Sequence, residues 1–64
     1  MKRRDLLAHL RAHGCRLLRE GGEHSIWENT ASGRRSSVPR HREIVTFTAA
    51  RICKQLEIPP PPAR

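Results

Sequence analysis

Hydrophobic residues follow two rhythms along this chain, and the switch between them divides it into five segments. From Asp5 to His13 (DLLAHLRAH), leucines at positions 6, 7 and 10 keep the three-to-four-residue spacing that lines one helical face. Asp5 stands where an N-cap would, and Gly14 follows the last periodic residue as a stop. Cys15 to Glu20 alternates only in part, with Cys15 and Leu17 expected inward and Arg16 and Leu18 outward. Gly21-Gly22 signals a turn, and Glu23 to Asn29 contains Ile26 and Trp27, both strong strand formers. A second turn, NTASG at 29–33, leads to a third short strand, Arg34 to Val38, ended by Pro39. These three strands read as an antiparallel meander. Pro39 to Val45 is a connection of mixed charge. The helical rhythm then returns, with Ala49, Ile52, Cys53 and Leu56 on one face and Arg51, Lys54 and Gln55 opposite. Thr46 or Thr48 could cap this last helix.

The order helix, three strands, helix predicts an α+β fold with both helices on one face of a small sheet. The other face is left to solvent or a partner. With 64 residues there is room for one domain, 1–58, and a proline-rich tail, 59–64. The four prolines at 59–62 end the helix and favour polyproline II; a run this short is expected to fray rather than to serve as a recognition ligand. A core this thin leaves only a shallow functional surface. No apolar run approaches the ~20 residues of a membrane-spanning helix, and MKRRDLLAHLRAHG has no signal-peptide hydrophobic block, so a cytoplasmic location is expected.

Charge narrows the partners. Lys and Arg number 13 against 6 Asp and Glu, a formal net charge of +7, which favours an anionic partner such as nucleic acid. The two helices are not joined by the short turn of a DNA-reading helix-turn-helix. Cys15 and Cys53 lack metal-ligand spacing and read as small buried hydrophobes, a disulfide being the lesser alternative. His9 and His13 are four apart, a spacing that suits a metal, but no third ligand accompanies them; a solvated helix face is expected, and no metal or cofactor.

RNA cleavage needs no metal, because the 2′-hydroxyl can attack the adjacent phosphorus. Histidine suits the proton transfers, since its ordinary pKa of about 6.5 makes both forms available near neutrality. Arginine suits the phosphorane charge, because its planar fork can bond two phosphate oxygens. His24 stands where a strand meets a turn, a mount for a general base or merely a hairpin-corner residue. In a regular strand it would share a face with Ile26, so either a bulge after Gly22 re-aims it or it lies beyond the edge of the core. His41 is a second acid or base, a phosphate ligand, or a structural residue of the connection. Lys2, Arg3, Arg4, Arg34, Arg35, Arg40 and Arg42 are the candidate RNA-facing cations. Trp27 could stack on a base or anchor a protein partner, or it could complete the core.

Three segments taken together carry a resemblance. They are Gly14-Cys15 after the first helix, Gly22-Glu23-His24-Ser25-Ile26-Trp27, and Val38-Pro39-Arg40-His41-Arg42-Glu43-Ile44. From Gly14 through Ile58 the chain resembles the HicA family of toxins from bacterial toxin–antitoxin systems. The resemblance implies a fold like the double-stranded-RNA-binding domain and a metal-independent endoribonuclease that cleaves mRNA. It also implies neutralisation by a HicB-type antitoxin. The family's functional histidine maps onto His24. The chain departs from the family pattern at Glu23, Ser25 and Phe47. An RNA-binding module of the same fold that does not cut is the alternative reading.

Overall fold

The structure is a computed structural model that describes residues 1–62; Ala63 and Arg64, the end of the expected tail, lie outside the described residues. It comprises α1 (Arg3–Ala12), β1 (Cys15–Glu20), β2 (His24–Asn29), β3 (Arg35–Pro39) and α2 (Thr46–Gln55). The strands form one antiparallel sheet in the order β1-β2-β3, so the α-β-β-β-α, double-stranded-RNA-binding-domain-like architecture is as expected.

The helix starts differ from expectation. The residue capping α1 is Lys2 and that capping α2 is Val45, and neither donates or accepts a side-chain capping bond. Asp5, Thr46 and Thr48 are therefore not caps. Backbone pairing fixes the entry to α1 instead: Lys2 bridges to Glu43, and the Arg3 N–H donates to the Arg42 carbonyl at 2.8 Å. Asp5 falls inside the first turn, where its charge complements the helix dipole. Gly14 does stop α1, at φ +83°.

Leu6 and Leu10 of α1 and Ala49, Ile52 and Cys53 of α2 pack with Cys15, Trp27, Val38, Ile44 and Leu56 in one core. Each fully buried leucine contributes about 1.5–3 kcal/mol of transfer free energy. Trp27 is 2% exposed, with the Arg11 guanidinium 5.2 Å from its ring centre. It therefore completes the core and is in no position to stack on RNA or anchor an antitoxin, because β2 turns Ser25, Trp27 and Asn29 towards the helices. Asn29 donates to the Leu56 carbonyl at 2.8 Å, satisfying the end of α2 from inside the sheet.

Leu17 is the other departure on the core side. It stands opposite Trp27 yet is 42% exposed, since only the Cys15 end of β1 is covered. The register breaks between Leu17 and Arg19, making Leu18 the extra residue of a bulge in this edge strand. The start of the proline segment is tied down rather than frayed: the His9 ring donates to the Pro59 carbonyl at 2.8 Å.

α2 ends in a left-handed residue. Glu57 has φ +59°, its N–H donates to the Lys54 carbonyl, and the Ile58 N–H donates to the Cys53 carbonyl. This is a Schellman closure with Ile58 packed on the core, but with a side chain where glycine is favoured. Glu57→Gly should raise stability by about 0.5–1 kcal/mol, seen as a Tm higher by a few degrees. The exposed Arg34–Glu57 pair it removes (3.7 Å) is worth little.

Cys15 and Cys53 are free and buried, which excludes the disulfide alternative. Burial, and to a lesser degree Cys15 nearby, pushes the Cys53 thiol up to about 11. Both thiols should resist alkylation in the folded protein at pH 8 and react once it is unfolded; rapid alkylation of native protein would contradict this. The unfolded chain ionises Cys53 first. Its contribution is thus complete below the ordinary thiol range and falls away as pH rises towards 11.

Candidate active site

The alternation that buries Trp27 turns His24, Ile26 and Glu28 to the opposite face of the sheet. The parity conflict of His24 and Ile26 resolves because Ile26 is not a core residue. No bulge after Gly22 is needed, and the chain's bulge lies in β1.

His24 begins β2 opposite Pro39 of β3. Its carbonyl accepts a 2.8 Å bond from the Gly21 N–H, and next to it the Glu23 carbonyl accepts from the Arg40 N–H. A Cβ on Gly21 would lie 2.6 Å from the His24 carbonyl oxygen, so only glycine permits this close approach. The backbone of His24 is thus held from both sides while its side chain is exposed. Among the described residues, no hydrogen bond joins the Glu23 carboxylate to the His24 ring.

Beside His24 a shallow groove of about 130 Å³ runs between the edge of the sheet and α2. Ser37 and Pro39 line it from β3, and Thr48, Arg51, Ile52 and Gln55 from α2. Gln55 is held by a 2.6 Å bond from the Ser36 hydroxyl to its Oε1, which leaves its amide nitrogen to donate. The groove therefore combines a proton acceptor, a guanidinium and neutral hydrogen-bonding groups. That set can take a proton from a hydroxyl and bind the phosphate beside it.

Behind His24 lies a polar network. Ser25 is fully buried, accepts from Arg3 Nη2 (3.0 Å) and donates to Glu20 Oε1 (2.8 Å). Arg3 Nε also donates to the Pro39 carbonyl at 2.8 Å, and Arg40 pairs with Glu20. The residues on either side of the His24–Pro39 pair are thus cross-linked by charge-assisted bonds. Arg3, expected to face RNA, spends its guanidinium on this network.

The remaining expected cations fall into two groups. Lys2, Arg4, Arg40 and Arg42 join Arg3, Leu7 and Glu43 around a hollow of about 480 Å³, at the same end of the sheet as His24. Arg34 and Arg35 lie at the start of β3, away from it. Arg35 and Arg16 flank Glu28 at 3.3 and 3.2 Å across the three strands, and Arg34 pairs with Glu57. His41 is exposed and lines neither the groove nor the hollow. Among the described residues, no three His, Cys, Asp or Glu side chains gather as a metal-binding group, and no helix is long and apolar enough to cross a membrane.

A family model for the HicA toxin of bacterial toxin–antitoxin systems matches residues 3–58. The chain belongs to the HicA toxin family. Neither the curated proteins nor the solved structures contain a significant match. Membership makes the chain a toxin and implies an antitoxin partner. The matched span includes His24, the α2 side of its groove and the whole basic hollow except its outermost lysine.

Four features of this HicA toxin's site were not anticipated from sequence: Arg51, Thr48 and Gln55 in the groove, and Ser25 as a buried link. For the first three the signal was available, since they lie three and four apart on the polar side of α2. Ser25 was detectable only as a small polar residue at an inward strand position. Gly21→Ala should lower unfolding free energy by about 1–3 kcal/mol in urea titrations. Gly22→Ala, where a Cβ meets nothing within 4 Å, should be close to neutral.

Proposed function

We propose that this toxin is a metal-independent endoribonuclease that cleaves mRNA in the cytoplasm, with His24 as general base. The observation that carries the reading is the exposed His24 ring, on a backbone clamped from both sides, sharing a groove with Arg51. His24 takes the proton of a ribose 2′-hydroxyl, and the oxygen attacks the adjacent phosphorus. Arg51 stabilises the phosphorane charge. The P–O5′ bond breaks, the 5′-oxygen takes a proton from water in the open groove, and a 2′,3′-cyclic phosphate remains. The basic hollow beyond Arg40 holds the flanking backbone, with Lys2, Arg4 and Arg42 towards phosphate.

A HicB-type antitoxin neutralises the toxin by covering this basic surface. An acidic face on the antitoxin would exclude RNA by occupying the same cations.

His24→Ala should reduce cleavage of mRNA in chelator-treated buffer by about 10²–10⁴-fold, the usual loss for one acid–base group, with thermal unfolding unchanged. Full activity in that variant would sink the mechanism. The groove holds a single acid–base side chain, which favours the binding-only alternative. Salt-sensitive RNA binding by the wild type, with log affinity falling about 0.7 per phosphate contact per log unit of salt and no product formed, would establish it.

A further inference from the structure

Phe47, in the first turn of α2, is 75% exposed, and Val45 just before the helix is 67% exposed. Together they leave an apolar, aromatic surface open to water at the start of α2. Four residues on, Arg51 places its Cζ 6.0 Å from the Phe47 ring centre. Arg51 also lines the His24 groove. One guanidinium therefore links an open aromatic face to the general base.

We infer that Phe47 is a stacking platform for an unpaired nucleobase of single-stranded RNA, adjoining the phosphate held at His24 and Arg51. The inference rests on the ribonuclease reading and adds a subsite to it. A nucleotide has a flat π-face and an anionic phosphate joined by a sugar, and this surface presents a ring and a cation in the same order. Arg51 at 6.0 Å stands at the limit of cation–π contact, so it does not hold the ring tightly and leaves it open to a base. Thr48 and Gln55 beside them supply hydrogen bonds to base edges or the 2′-hydroxyl. The charge of the chain, +7, selects the same class of partner. A base paired in a duplex could not open onto the ring, so the subsite confers a preference for single strands.

The test measures binding of a short single-stranded RNA containing 2-aminopurine to His24→Ala protein carrying Phe47, Phe47→Ala, Phe47→Leu or Phe47→Trp. Cleavage by the same Phe47 variants with His24 intact is followed in parallel. Losing one stacked base weakens binding by about 5- to 100-fold. Phe47→Ala and Phe47→Leu should both fall in that range, Phe47→Trp should bind as well as Phe47 or better, and 2-aminopurine quenching should vanish only in the first two. Phe47 is exposed, so thermal unfolding should be unchanged in all of them. Unchanged RNA affinity in Phe47→Ala, with wild-type cleavage intact, overturns the stacking subsite and leaves the ribonuclease reading standing. Loss of antitoxin affinity in Phe47→Ala with RNA affinity unchanged overturns it in favour of a protein anchor. A wild type that neither binds nor cuts RNA overturns both.

Discussion

Burial of the Trp27 indole between the sheet and the helices sets the parity of β2, the strand paired on both of its sides. A strand has two faces and no intermediate position, so a slip of one residue would exchange every side chain between core and surface. With Trp27 inward, Ser25 and Asn29 must also be inward, and both meet partners there: Arg3 and Glu20 for the serine, the Leu56 carbonyl for the asparagine. His24, Ile26 and Glu28 must then face outward. The His24 side chain is exposed because a neighbour three residues away is buried.

That arrangement divides the arginines into three kinds. Arg3 bonds a buried hydroxyl and a strand-end carbonyl, and so acts as part of the frame. Arg35 and Arg16 compensate Glu28 on the outer face. Arg4 and Arg42 are exposed around the hollow and make no ion pair among the described residues. Glu20 joins the first two kinds, since it accepts from buried Ser25, which Arg3 also bonds, and pairs with exposed Arg40. Counting basic residues therefore overstates the surface free for phosphate, because about half of the expected cations already have structural or ionic partners.

The same economy shapes the groove. β3 is an edge strand whose unpaired side would invite association with another chain. Pro39 ends it, and His24 and Arg51 both line the gap between α2 and the sheet edge.

Element order, the helix-packing stripes and the turn at Gly21-Gly22 were legible in the sequence, because periodicity and glycine placement are local properties. The motif singled out His24, and the structure places its side chain exposed beside a groove. The α1 cap was misread because backbone pairing from Arg42 and Glu43, distant from α1 along the chain, takes the place of side-chain capping. Trp27 and Ile26 could not be assigned to faces by alternation alone, as both are strong strand formers and adjacent. Which arginines are free, which residues of α2 face His24, and why a buried serine follows it were decided only by tertiary structure. Those properties depend on contacts between segments distant along the chain, and such contacts leave no periodic trace in either segment.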